Sequence, residues 1–420
     1  MPAAFTSPLA EAVAPDLLAR FTRYVQIDTQ SRVDRERSPS TPGQLDLSRL
    51  LVEELLAIGV TDAELDEHGY VYATLPATMP DSLVIGLIAH VDTSPDAPGA
   101  GVAPIVWSDY DGGVIELPKG GTRLDPATMP ELAAKQGHDI VTASGDTLLG
   151  ADDKAGVAAI MAAVAHMAAH PELPRPTLRI AFTPDEEIGH GATLFDIPRF
   201  GARCAYTIDG STLGELQDET FSAIEVRITI AGVGVHPGWA KGKLVNPVRV
   251  AAQIVAALPS DRLTPETTAG REGYIHPAMF LGTTDHAEVR FVLRDFEEEL
   301  LESHVELVRS VAEQVLASTP GARLDFDVIR QYPNMLEYLE RDPEVMAAAE
   351  EAVRAEGIEP LREPIRGGTD GSRLSQMGLP TPNIFDGGHE YHSVREWASL
   401  QDMAAAAAVI VRLAETWSRR

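Results

Sequence analysis

Residues 82–92 read Ser-Leu-Val-Ile-Gly-Leu-Ile-Ala-His-Val-Asp, an apolar run that stops at His90 and Asp92. A strand exposed on one face alternates apolar and polar residues; one that is apolar throughout is buried on both faces. Residues 177–182 (TLRIAF), 204–208 (CAYTI) and 383–385 (NIF) are runs of the same kind, and residues 71–75 form a further strand. Helical periodicity separates them. Leu17, Leu18, Phe21, Tyr24 and Val25 share one face, residues 45–58 form a second helix, and residues 154–169 and 400–417 two Ala-rich ones. Apolar strands alternating with helices predict an α/β fold: a mixed, mostly parallel sheet sandwiched by helices.

The stretch from about residue 221 to 330 follows another rule. Residues 221–230 (FSAIEVRITI) and 287–293 (AEVRFVL) alternate apolar with charged residues, as half-exposed antiparallel strands do. Helices over 247–258 and 297–317 and a strand over 323–329 complete an α+β split-βαβ module. The expected organisation is a first part of the main domain over 1–220, an inserted domain over 221–330 and a second part over 331–420. Residues 96–145, rich in Gly and Pro, read as a long irregular excursion, of the kind more often functional than decorative.

Composition narrows the function classes. A formal net charge of −29 argues against a protein that grips nucleic acid or an anionic membrane surface. The single cysteine, Cys204, excludes an intramolecular disulfide and any thiolate-clustered metal site, so a bound metal would need imidazole and carboxylate. Neither a basic leader with an apolar core nor a run of about 18 apolar residues is present, which sets a cytoplasmic location as the expectation. No Gly-x-Ser-x-Gly, Gly-x-Gly-x-x-Gly or P-loop pattern occurs.

Chemistry gathers at the ends of the apolar runs. His90-Val91-Asp92 closes one, Asp152-Asp153-Lys154 opens the first Ala-rich helix, Asp185-Glu186-Glu187 closes another run and Asp209-Gly210 a fourth. Ligand sites of open α/β sheets lie beyond the carboxyl ends of the strands, so these groups should converge. Taken singly, each has a plainer reading: a packing histidine, an N-cap aspartate, an exposed acidic turn. Converging carboxylates repel unless protons or cations neutralise them, and His with carboxylate suits Zn²⁺, Mn²⁺ or Co²⁺. A carboxylate shared by two ions would hold them about 3.5–4 Å apart, as in hydrolases whose bridging water becomes hydroxide. A glycosidase acid pair is the alternative for Glu186 and Glu187, but it would not require His90.

His90-Val91-Asp92-Thr93, the stretch Leu149-Gly150-Ala151-Asp152-Asp153-Lys154-Ala155-Gly156, Thr183-Pro184-Asp185-Glu186-Glu187 and Asp209-Gly210 resemble, in order and spacing, the metal motifs of the M20 dizinc metallopeptidases. His236-Pro237-Gly238-Trp239, Arg294-Asp295-Phe296, Arg366-Gly367-Gly368-Thr369-Asp370-Gly371 and Tyr391-His392 are similar to the tripeptide aminopeptidases within that family. The resemblance runs from about residue 18 to the C-terminus. It implies a zinc exopeptidase-like catalytic domain carrying an inserted lid or dimerisation domain. It also implies two Zn²⁺, with Mn²⁺ or Co²⁺ as substitutes: one held by His90 and Asp209, the other by Glu187 and His392, and Asp152 bridging both. Asp92 would orient His90, and Glu186 would take a proton from the bridging water and return it to the leaving amine. In the insertion, His236 would help stabilise the oxyanion, reaching it on closure or from a partner subunit. Arg294 and Arg366 would face the peptide carboxylate, and Asn246 would make a backbone or substrate contact. The implied activity is release of the N-terminal residue from tripeptides, with no nucleic-acid or membrane partner and a homodimer through the lid allowed.

One departure is visible: His389-Glu390 stand before Tyr391, where the family often carries Asn. His389 can therefore compete as a ligand, although His392 is the one that follows Tyr391. Other activities of the family (dipeptidase, carboxypeptidase, N-acyl amino acid deacylase) would keep the metal motifs and change the pocket. A non-catalytic peptide-binding relative would lack Glu186, Asp152 or a metal ligand, and none is missing.

Overall fold

The computed structural model describes residues 5–34, 36–80 and 82–420. The chain divides into two compact units. One comprises Met1–Asp218, Glu337–Glu363 and Thr369–Arg420; the other comprises Glu219–Leu336 and Pro364–Gly368. The return of Pro364–Gly368 to the second unit has a backbone cause: Phe221 N donates to Ile365 O (3.0 Å) and Ile365 N to Glu219 O (2.8 Å).

The first unit is built on an eight-stranded sheet. Its order is Glu64–Leu65, Val71–Leu75, Thr177–Thr183, Val84–His90, Cys204–Thr207, Asn383–Ile384, Glu215–Gln217 and Leu361–Arg362. The four strands from Thr177–Thr183 to Asn383–Ile384 are parallel, while antiparallel pairs flank them. On one face pack the helices Pro8–Tyr24, Ala151–Ala169 and Leu400–Trp417, the last two buried along almost their whole length. A helix apolar on every side must be enclosed, and alanine lets such helices approach closely. On the other face Tyr70, Tyr72, Phe195 and Phe200 cluster with Ile88 and Leu374. Gly86 makes that cluster possible, since a Cβ there would stand 2.5 Å from the Phe200 ring.

Register places the site. In the parallel pairing His90 lies opposite Thr183, and Ile88 lies opposite Thr207. His90 and Asp209, each two residues further on, therefore leave neighbouring strands at one level, and Thr183 leads directly into the Asp185-Glu186-Glu187 turn.

One expectation is corrected. Residues 96–145 are not structureless. Ile105–Trp107 and Ile140–Thr142 join Trp397–Ser399 and Gly388–His389 in a four-stranded sheet, and Ile115–Glu116 pairs with Arg123–Leu124. Tyr110, Ile115, Leu117, Leu124, Leu132 and Trp397 form a small core beneath them. These strands are only two or three residues long, too short for alternation to emerge.

The fourth strand of the split-βαβ order is Tyr274–Gly282, at the edge of the second unit's sheet. Pro277 and Gly282 disguise it in sequence, but proline is tolerated on an edge strand, and the pairing bulges between Pro277 and Met279. The rest of that sheet is His286–Asp295, Ser222–Ala231 and Arg323–Tyr332, all antiparallel. Ile224, Val226, Ile228, Ile230, Val289 and Phe291 point inward against the helices Pro247–Ala257 and Glu298–Ala317. Among the described residues no helix is long and apolar enough to cross a membrane.

Candidate metal centre

At the carboxyl edge of the large sheet, His90 Nε2 lies 2.9 Å from Asp152 Oδ1 and 3.6 Å from Asp209 Oδ1. On the other side of Asp152, His392 Nε2 lies 3.1 Å from Asp152 Oδ2 and 2.9 Å from Glu187 Oε2. The structure thus brings together two three-residue groups, His90/Asp152/Asp209 and Asp152/Glu187/His392, joined through one carboxylate. Asp152 sits where the Ala-rich helix begins; it and Asp153 have non-helical backbone angles, and the peptide between them is cis. Asp153 takes no part in either group. Its carboxylate accepts from His90 N (3.0 Å) and Gly156 N (3.2 Å), binding the strand end to the helix start.

Asp92 does more than its sequence position suggests. His90 Nδ1 donates to the Asp92 backbone carbonyl at 3.0 Å, with the Asp92 carboxylate at 3.5 Å. That bond orients the ring so that Nε2 faces Asp152 and Asp209. The carboxylate itself accepts from Glu186 N (3.0 Å) and Glu187 N (3.2 Å) and so fixes the short helical turn Glu186–Ile188.

The electrostatics are those of a site short of positive charge. Burial raises Glu186 well above the usual carboxylate range and pushes Glu187 up to about 8, with Asp152 adding to the latter. Burial raises Asp209 too. Burial also disfavours charge on the two histidines, yet the hydrogen bonds they donate to the acids prevail, lifting His90 well above the imidazole range and His392 to about 11. Asp152, buried as well, is held low by hydrogen bonds from His392 and His90. Two imidazolium protons facing four carboxylates occupy positions that divalent cations would neutralise more completely. Glu187 Oε1 is moreover buried without a hydrogen-bond partner. The donor set, its spacing and this orphaned oxygen fit two cations sharing Asp152.

The remaining candidates lie elsewhere. His389 belongs to neither group: its ring stacks on Trp397 (4.2 Å between centroids), and burial, with Lys135 nearby, pushes it down to about 3. His236, exposed in the second unit, accepts from Gly238 N (3.1 Å) and packs on Trp239. Asn246 caps the helix Pro247–Ala257 by accepting from Val248 N (3.0 Å). Arg294 lies over the Tyr332 ring and donates to Leu293 O (3.0 Å). Arg366 donates to Gly270 O (2.7 Å), Glu272 O (2.8 Å) and Thr268 Oγ1 (2.9 Å).

Several residues around the centre escaped the sequence reading. Asp370 accepts from Thr183 Oγ1 (2.8 Å), lines a small void with His90, Glu186 and Asp209, and is pushed up to about 7 by burial. Asp386 accepts from the Tyr391 hydroxyl (2.6 Å), and Glu396 from three backbone N–H groups beside Asp152. The contacts of Asp370 and Glu396 join residues far apart in the chain, so no spacing announces them.

A helix-flanked mixed sheet with a His and carboxylate cluster at the ends of its parallel strands defines the class: an α/β protein with a candidate two-cation centre, carrying a second, antiparallel unit. Residues 147–416 match the model of peptidase family M20/M25/M40. The peptidase T of Geobacillus thermodenitrificans is 46% identical over 407 residues, 96% of this chain and 99% of that protein. Among solved structures, a tripeptidase from Staphylococcus aureus is 20% identical with a TM-score of 0.76, covering 97% of this chain and 99% of that one. A dinuclear metal-binding M20 peptidase from Bacillus subtilis is 17% identical with a TM-score of 0.64, covering 96% and 98%. The chain belongs to peptidase family M20/M25/M40.

Proposed function

We propose that this chain is a two-zinc aminopeptidase that releases the N-terminal residue of tripeptides. The observation that carries the reading is the shared carboxylate: Asp152 offers one oxygen to His90's side and the other to His392's. His90, Asp152 and Asp209 would hold one ion, and Asp152, Glu187 and His392 the other. Bound there, Zn²⁺ polarises a peptide carbonyl and lowers the pKa of water. Glu186 belongs to neither ligand group and lines the void with His90 and Asp209. Its carboxylate accepts the proton of the attacking water and delivers it to the leaving amine. Asp92 keeps Glu186 and Glu187 facing their separate tasks through its two N–H bonds.

Identity of 46% over nearly the whole length to a peptidase T supports the tripeptide activity. In the second unit, Arg294 and Arg366 are assigned to the peptide carboxylate, since a guanidinium offers it a bidentate fork. His236 is assigned to the oxyanion and Asn246 to the helix cap that shapes this surface. A homodimer through the second unit belongs to the same reading. The edge strands Tyr274–Gly282 and Arg323–Tyr332 each have an unpaired side and expose Phe280, Leu281, Val328 and Ile329. A cytoplasmic location accords with the buried Cys204, whose thiol burial pushes up to about 12.

The test is a series of di-, tri- and tetrapeptides with the Zn²⁺-loaded protein, read by free amine released. Tripeptides with a free N-terminus should be cleaved fastest. Hydrolysis of N-acyl amino acids with tripeptides ignored would replace this activity by a deacylase.

A further inference from the structure

We propose that Glu396 is a positioning residue for the metal centre: it holds the loop that presents Asp152, the carboxylate common to both ligand groups. The inference rests on the two-metal reading above.

Glu396 is 2% exposed, and its partners are backbone donors. Leu149 N and Gly150 N both donate to Oε2 at 2.7 Å, and Asp152 N donates to Oε1 at 3.1 Å. These bonds fall at the start of the Ala-rich helix, where Gly150 has φ 81° and supplies no side-chain cap. The first N–H groups of a helix need acceptors, and here a distant carboxylate supplies them in place of a local cap. The buried cation nearby, Lys154, bonds to Ile27 O (2.8 Å) and leaves the Glu396 oxygens to the loop. A buried carboxylate without a cationic partner is costly to keep, so three convergent N–H bonds mark a site shaped for it.

The position of Glu396 in the chain adds the second half of the argument. It stands four residues after His392, so one short segment carries a ligand at one end and the support for Asp152 at the other. At the start of that segment the Tyr391 hydroxyl lies 2.8 Å from Gly210 O, beside Asp209. Asp152, Asp209 and His392 are therefore all referred to the same few residues. Since Asp152 serves both groups, a displaced loop should loosen both ions.

Glu396→Gln tests this. An amide carries one acceptor and one NH₂, so in either orientation it sets a donor against Asp152 N or against the Leu149 and Gly150 pair. The metal-free protein is titrated with Zn²⁺ by calorimetry, and its melting temperature is measured without metal. The expected result is weaker binding of both ions by about 10–100-fold, with the metal-free melting temperature within about 2 °C of the wild type, a shift of about 2 kcal/mol. In the peptide assay kcat should fall while KM holds. Wild-type affinity for the ions overturns the proposal, as does loss of affinity for one ion alone. If Glu396→Gln does not fold, Glu396→Asp carries the test: folded with loosened ions is expected, and folded with wild-type affinity overturns it. Failure of both to fold also overturns it, because Glu396 would then hold the fold and not the centre. Calorimetry uses no substrate. Wild-type protein that binds two ions but leaves tripeptides intact counts against the proposed activity and not against Glu396.

Discussion

The polar residues singled out in the two units are satisfied in different ways. In the first unit, His90, Asp152, Glu187, Asp209 and His392 have one another as partners, and burial leaves several of the acids far from their ordinary pKa. In the second, each candidate has an ordinary protein partner: a turn N–H for His236, a helix N–H for Asn246, backbone carbonyls for Arg294 and Arg366. A side chain bonded by its own turn or strand needs nothing more from outside. A cluster of three carboxylates and two imidazoles does, and that is why the metal assignment rests on the first unit's geometry while the substrate assignments rest on likeness to relatives.

Metal removal should separate the two units most sharply. Exhaustive chelation is expected to abolish tripeptide hydrolysis, with recovery on adding Zn²⁺. At about one hundred times Kd, each ion should contribute about 2.7 kcal/mol of stability, read as a rise in melting temperature. Full activity after chelation would remove the metal reading.

Next comes Glu186, an acid beside the cluster that is not assigned as a ligand. Glu186→Gln is expected to lower kcat by about 10²–10⁴-fold while elemental analysis still finds two metals per chain. Turnover at the wild-type level would exclude Glu186 as the base.

A smaller effect is expected in the second unit. Arg294→Ala should raise KM for tripeptides about 10–100-fold with kcat nearly unchanged, as loss of a charge-assisted bond to the peptide carboxylate would. Asn246→Ala, by contrast, should cost about 1 kcal/mol of stability through its helix cap and leave KM alone. If both variants behave like Asn246→Ala, Arg294 has only its structural role.

The last effect concerns acid. His389 is held down at about 3, so it stays neutral in the fold while the unfolded chain protonates it near 6.5. The unfolded state then binds more protons below about pH 6.5, and stability falls with pH by about 1.4 kcal/mol per unit between there and about pH 3. His389→Leu should flatten that part of the stability curve, measured by denaturant unfolding at several pH values. An unchanged slope would show that His389 is not buried as a neutral ring.

Much of the first unit could be read from apolar runs. Residues 82–89 and 204–208 are strands enclosed on both faces, and continuous hydrophobicity survives as a signal because every position meets the core. The convergence of His90 and Asp209 followed from their places at run ends, and the parallel register made it geometric. Tyr274–Gly282 could not be read this way, because Pro277 and Gly282 fit an edge strand as well as a loop. The short strands inside residues 96–145 were hidden by their length. Glu396 is the instructive omission. In Ser393-Val394-Arg395-Glu396 it looks like half of an exposed charge pair, whereas in the fold Arg395 turns to Glu390 (2.9 Å) and Glu396 is enclosed.

Sequence by itself determined the ingredients: an α/β frame with an antiparallel insertion, a candidate metal centre without thiolate, and the acids and histidines at the strand ends. Those conclusions rest on residue type and local period, which every window of the chain carries. Tertiary structure decided how the ingredients connect. It divided the two Asp152 oxygens between His90 and His392, gave the Asp92 carboxylate to the Glu186 turn, and set Glu396 beneath Asp152. Those are hydrogen bonds between residues dozens to hundreds of positions apart, and only the closing of the sheet and its helices brings their atoms within reach.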